Sequence, residues 1–396
     1  MHLQKLTKLS LITILSFPFF LNAQENIKEE NILSKDRLDL FKYSQEQNEQ
    51  SSSKLKKDWI NPITLRYSKT YGENYDTTKS LVSINQPIFK SGGIYNAIKY
   101  ANATYDYNNV DIQIQKKELI KNAVTILFNL HILDLNIKKS EIQLKNAKID
   151  IIRKKEQVLN GFLDTSYLDN AILEANKVKN TLVDLKYQKQ ELNYNFKSIA
   201  SNDYKSFDLP KLKLNDEKSF IDNNLELKKA NKDLNQKDYY VNMTVAKYLP
   251  TLNATMDYTK YHDTNNPAIT DDTTQTYGLS VSMPIDVRTF NDIQTQKIEY
   301  LKAKLSLKNT ILEEQNYYKT KLAKINMINE KKQIAKDDYK LYDSLLKIIN
   351  EEKEAELKTQ SDVDTLYNSQ KIKAIELKIY KLQEQIELFD IYSKIG

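Results

Sequence analysis

The chain has 396 residues, with 59 Lys and Arg against 53 Asp and Glu, a net charge of +6 and no cysteine. The excess charge is diffuse, spread over interleaved Lys and Glu of the kind that solvate helix faces, and this excludes a nucleic-acid partner. The lack of cysteine excludes a disulfide scaffold and a lipidated N-terminal Cys, so any membrane attachment has to come from the fold itself.

In chain order, residues 1–23 read as a cleavable secretory signal. Lys5 and Lys8 precede an apolar run from Leu9 to Leu21, and Leu21-Asn22-Ala23 precedes polar Gln24. The run is too short to span a bilayer, and no later window offers about 20 uninterrupted apolar residues. The mature chain is therefore expected to have no transmembrane helix. A weakly helical stretch, Asp36 to Lys57, leads into two short strands. In the first, Ile63, Leu65, Tyr67 and Tyr71 oppose Thr64, Arg66, Ser68 and Thr70. A turn around Gly72–Asp76 then leads to a second strand, Lys79–Phe89, where adjacent Leu81 and Val82 blur the alternation.

Six glycines and seven prolines sit at junctions and leave the rest free to be helix. Nothing breaks helical sequence from Ile94 to Glu156, which at 1.5 Å per residue predicts a rod of roughly 95 Å. Leu119, Ala123, Ile126, Leu130, Leu133 and Ile137 repeat at spacings of four and three, the seam of a coiled coil. A break near Gly161 returns the chain along Leu168, Ile172, Ala175, Val178, Leu182 and Leu185. Helix breakers then recur between Ser198 and Phe220, which reads as a linker packed beside the rods.

The order then repeats. Asn223–Lys247 corresponds to the first weak helix, and Tyr248-Leu249-Pro250 opens a third strand in which Leu252, Ala254, Met256 and Tyr258 alternate with polar residues. A polar connection from His262 to Gln275 leads to a fourth, with Tyr277, Leu279, Val281 and Met283 on one face. Ile298, Leu301 and Leu305 open a second rod, a break falls near Glu356, and Ile375, Ile379, Leu382, Ile386 and Phe389 close its return. The chain thus divides into a first repeat, 24–220, and a second, 221–396, each one supersecondary unit.

Strands of about ten residues with one apolar and one small-polar face match a transmembrane β-barrel. In that reading Leu65, Tyr67, Leu252, Met256, Tyr258, Leu279 and Val281 face lipid. Four strands cannot close, and bare strand edges cannot face lipid, so the barrel has to be shared among several chains.

Together these features resemble the TolC-like outer membrane efflux protein family across nearly the whole mature chain. The resemblance is carried by the doubled layout, by Gln86-Pro87-Ile88-Phe89-Lys90-Ser91-Gly92-Gly93 and Met283-Pro284-Ile285 at the strand-to-helix exits, and by Tyr248-Leu249-Pro250-Thr251-Leu252. The second exit departs from the first, since Asp286-Val287-Arg288-Thr289-Phe290 lacks paired glycines. The resemblance implies a mainly α fold with a transmembrane β-barrel. Each chain gives four strands to a shared twelve-stranded barrel of a homotrimer in the outer membrane, and its coiled-coil hairpins form a periplasmic tunnel. The function implied is a passive exit duct for small molecules, in contact with outer-membrane lipid and joined by a periplasmic adaptor protein to an inner-membrane pump. The same architecture serves type I protein secretion. A reading of another class is a secreted coiled-coil scaffold without a pore.

By the same resemblance, Asp362 and Asp364 form the periplasmic gate, with Thr365 at the family's second acidic position. Gly161, Phe162, Leu163, Leu357 and Lys358 dock the adaptor at the hairpin tips. The residue types also suggest plainer roles. Ser166 with Asp169, and Ser361 with Asp364, fit capping boxes of the return helices, and Lys358 is spaced to pair with Asp362. No catalytic constellation, cofactor motif or metal cluster is present: His2 lies in the signal, His131 on a helix and His262 in a loop.

Overall fold

The computed structural model describes residues 29–396; the signal segment expected at 1–23 lies outside them. The doubling is quantitative. Helix α1 (Lys35–Lys57) and helix α5 (Leu225–Lys247) each have 23 residues. Helix α2 (Gly93–Leu159) has 67 and α6 (Thr289–Glu354) has 66, while their returns, α3 (Thr165–Lys197) and α7 (Gln360–Tyr392), each have 33. At 1.5 Å per residue α2 is a rod of about 100 Å.

The rods lie side by side as a wall. Nearest the strands the helices run in the order α1, α2, α5, α6, and farther away in the order α3, α2, α7, α6. Seam residues Ala123, Ile126 and Leu130 are buried as expected. Two seam assignments need correction. In α3 the seam passes through buried Ala171 and Ala175, while Ile172 is 40% exposed. In α6, Ile298, Leu301 and Leu305 are 47%, 53% and 60% exposed, and buried Ala303, Tyr318, Ile325, Ile328 and Ala335 make the contacts within the chain. Helix α6 carries two apolar stripes, and a wall one helix thick covers only one of them. The second stripe continues through Leu312, Ile334, Leu341 and Ile348 along one edge of the wall, and α3 exposes Leu173, Val183, Tyr187 and Tyr194 along the other.

The linker packs at mid-height, where Ile199, Ala200 and Tyr204 join Ile120, Val124, Leu127 and Phe128 of α2 in the main core. It ends earlier than expected, because Asp216 accepts from Ser219 N and starts helix α4 at Glu217–Asn223. Beside it Phe220, Tyr318, Leu388 and Ile391 form a second core. Beside these cores Glu314, 6% exposed, takes hydrogen bonds from Lys394 and from the fully buried Asn224. Asn224 in turn caps α5 by accepting from Leu227 N. Nearby, Lys321 pairs with Glu387 and Asp390, and burial raises the Tyr317 phenol to about 12.

The four strands, β1 (Thr64–Thr70), β2 (Thr77–Phe89), β3 (Thr251–Thr264) and β4 (Thr273–Ser282), form one antiparallel sheet in sequence order. The last two are longer than the alternation showed, so their connection is 265–272. Pairing settles the facing: Leu65, Val82 and Tyr258 align across three strands, as do Ile84, Met256 and Tyr277, then Ala254 with Leu279 and Leu252 with Val281. Tyr67 shares this face through Ser80 and Lys260, so all seven residues read as lipid-facing lie together. The adjacent Leu81 and Val82 are resolved too: Val82 points to the apolar face, whereas Leu81 pairs with Arg66 and Thr259 on the polar one. Among the described residues no element covers the apolar face, where Leu65, Leu279 and Val281 are exposed, and β1 and β4 are open edges. Among the described residues no helix is long and apolar enough to cross a membrane.

Removing Glu314 takes the acceptor from the fully buried Asn224 amide and from the partly exposed Lys394 ammonium. Glu314→Ala should cost about 2–3 kcal/mol, with Glu314→Gln costing less. Chemical unfolding followed by helical circular dichroism measures this, and an unshifted midpoint would show that the cluster contributes nothing to stability.

Candidate functional site at the hairpin tips

Both hairpins turn by one device. Helix α2 ends with Gly161 at φ 73°, Gly161 N bonded to Val158 O and Phe162 N to Gln157 O. Helix α6 ends with Glu356 at φ 61°, Glu356 N bonded to Lys353 O and Leu357 N to Glu352 O. These are paired Schellman closures, in which a left-handed residue satisfies the last helical carbonyls. A side chain at Gly161 would meet nothing within 4 Å, so its glycine answers to φ alone. Glu356 holds the same conformation at a cost of roughly 1 kcal/mol. The residue after each turn is apolar and bare, Phe162 79% and Leu357 74% exposed. Leu163 is half-buried, and Lys358 is exposed beside Leu357.

The return helices are capped differently from the serine boxes expected. Asp164, not Ser166, caps α3, its carboxylate accepting from Ser166 N at 2.8 Å. Thr359, not Ser361, caps α7, and Asp362 completes the box. Thr359 Oγ1 accepts from Asp362 N, while Asp362 Oδ2 accepts from Thr359 N at 3.0 Å and from its hydroxyl at 2.8 Å. The cap lies two residues before the serine, which places Asp362 at the third helical position that a reciprocal box requires.

The other oxygen of Asp362 is taken by Arg153 of α2 at 2.8 Å. Arg153 thus fills the place expected for Lys358, which acts on Asp362 only through its field. A signal for Arg153 was present, because it is the sole arginine in α2, α3, α6 and α7. About two turns deeper along α2, Asn146 donates to Thr365 O and accepts from Asn368, so α2 and α7 stay tied behind the tip. Asp364 is exposed and accepts from Gln360 at 2.8 Å. The Thr359 N–H, its hydroxyl and then the Arg153 charge hold the Asp362 carboxyl below its ordinary value.

Elsewhere, His262 Nε2 meets Ser80 Oγ at 2.8 Å, and His131 packs against Tyr204 with its Nε2 unpaired. Among the described residues no group of His, Cys, Asp and Glu is placed to hold a metal.

No family model matches the chain, and no curated protein matches it. Solved structures do. The channel CusC, described for its folding and transmembrane channel formation, superposes with a TM-score of 0.70 at 13% identity over 93% of this chain and 90% of its own. The outer membrane protein VceC of Vibrio cholerae gives 0.71 at 12%, over 90% and 92%. The Campylobacter jejuni CmeC outer membrane channel gives 0.69 at 14%, over 93% and 85%. The chain has the fold of these outer-membrane channels. Its four strands and two long helical hairpins are the arrangement that the TolC-like resemblance implies.

Because Asp362 is held low when folded, its capping contribution is complete above the ordinary Asp value of about 3.9 and is lost as pH falls through the lower folded value. Amide exchange at residues 359–363, corrected for intrinsic rates, should rise below about pH 4. Asp362→Ala should show that faster exchange at neutral pH. Equal protection in variant and wild type would remove Asp362 from the cap.

Proposed function

We propose that the chain is one protomer of an outer-membrane exit duct, passive in itself and joined through a periplasmic adaptor to an inner-membrane pump. One observation carries this reading. In a fold shared with outer-membrane channels, the sheet leaves one apolar face uncovered and two edges unpaired, and the helical wall beneath it leaves an apolar stripe bare along each edge. Lipid accepts the face, and only another copy supplies both edges. Strand β4 of one copy then pairs with β1 of the next, and the α6 stripe meets α1 of its neighbour, with exposed Leu40 and Tyr43, near the strands and the α3 stripe farther away. Such head-to-tail contacts close into rings. Three copies give twelve strands, within the range of closed membrane barrels, with the rods continuing as a tunnel.

At the far end, Phe162 and Leu357 present apolar side chains at the rim, where a partner docks with Gly161, Leu163 and Lys358 around them. The gate lies with Asp362 and Asp364. Asp362 is half-neutralised by Arg153, so that pair latches the second hairpin to α2, and Asp364 is the freer charge of an acidic ring that draws cations.

Detergent-extracted protein should sediment as a trimer and dissociate on heating; a folded, membrane-inserted monomer would refute the duct. In planar bilayers under a salt gradient, Asp362→Asn with Asp364→Asn should shift the reversal potential away from cation selectivity while trimer yield holds. Unchanged selectivity would mean that these carboxylates only cap α7.

A further inference from the structure

Where the rods meet the strands, the ends of α1 and α5 and the starts of α2 and α6 enclose a cavity of about 360 Å³. Trp59, Ile94, Tyr100, Tyr240 and Met243 give it apolar walls, with the two tyrosine rings 5.2 Å apart. Four charged residues also line it, and they are not equivalent. Lys247 and Asp292 pair at 3.4 Å, whereas Lys90 and Asp58 make no ion pair among the described residues. The cavity therefore has one free cation and one free carboxylate among aromatic walls.

The glycine pair of the first strand-to-helix exit shapes this site. A Cβ at Gly93 would lie 3.2 Å from Lys90 Cγ and 3.2 Å from Ala246 Cβ, so its absence lets the Lys90 stem lie on the first turn of α2. The second exit has no such pair and no such lysine. The cavity also has a side. Gln86 leaves the sheet on the apolar face, level with Ala254, and its amide bonds Trp59 O and Asn61 N. That places the Trp59 connection on the face that the duct reading gives to lipid. Phe89, paired with Leu252 on that face, is exposed beside it.

We propose that this cavity holds the head group of a membrane phospholipid of the ethanolamine class. The lipid phosphate sits against Lys90 and its ammonium against Asp58, while an acyl chain runs along Trp59 and Phe89 into the bilayer. Aromatic side chains with an apolar body and a polar edge favour this depth, and a zwitterion satisfies both free charges, which a simple anion does not. The inference rests on the barrel reading, and the test separates the two.

Trp59 is the chain's sole tryptophan, so its emission reports this site alone. The reconstituted protein is first floated with phosphatidylethanolamine vesicles; failure to float overturns the duct itself. With flotation established, lipids brominated near the head group should quench Trp59 at least twofold more than lipids brominated at the chain end. In detergent, short-chain phosphatidylethanolamine should shift the emission saturably. Lys90→Gln should weaken that response at least fivefold, and Asp58→Asn should abolish the preference over short-chain phosphatidylglycerol. Displacement by inorganic phosphate at equal concentration would make the cavity a free-anion site and overturn the lipid assignment. Unquenched Trp59 in floated protein would overturn it as well.

Discussion

The structure depends on edges that one chain cannot close. Every backbone group in a sheet edge needs a partner, and in hydrocarbon water does not supply it. The strands lie in the order β1 to β4 with both outer strands open, and the helical wall below repeats the problem in another currency, with apolar stripes on α6 and α3 facing outward from its two edges. In the proposed duct, backbone polarity above and side-chain hydrophobicity below are met by the same neighbour on each side. A scaffold without a pore would need the wall edges covered but has no use for a bare apolar sheet face.

Duplication explains how one sequence meets these demands. The two halves supply rods of nearly equal length and turn them with the same left-handed closure, so one chain behaves as two similar staves. The halves are joined in the sheet through β2 and β3, and at mid-height by Phe389 in the main core and by the Lys121–Asp390 pair. They diverge where a second task intrudes. Gly161 becomes strained Glu356, and the Gly92-Gly93 exit becomes Arg288-Thr289 behind an Asp286 held down to about 2 by Arg288.

Much of this was legible in the sequence because it rests on period. Alternation gave the apolar sheet face, and unbroken helical runs gave the rods to within a few residues. What period alone left open was the choice between stripes. Ile298, Leu301 and Leu305 satisfy a seam rhythm as well as Ala303 does, and only the count of available neighbours decides which faces inward. The caps were misplaced for a related reason: serine and threonine both serve, and whether Thr359 or Ser361 begins α7 depends on where the preceding closure releases the chain. The Arg153–Asp362 pair joins residues 209 apart and has no local signature beyond the rarity of arginine in the rods.

The distribution of burial along the wall also bears on which part of it is compliant. Fully buried side chains of α6 run no farther than Ala335, and those of α2 end at Ser140. Above those points Glu387, 5% exposed, is held by Lys321 and Lys324 beside the two cores. Beyond them α2 is tied to α7 by asparagine contacts and by Arg153–Asp362, whose side chains are 41% and 26% exposed. An exposed ion pair contributes about 0–1 kcal/mol, far less than a buried core, and regions with few buried contacts open first. The wall is thus stiff at mid-height and compliant at the tip. A hairpin that opens there moves about a fixed base, and it gives up only the latch and a few hydrogen bonds while the two cores above stay intact.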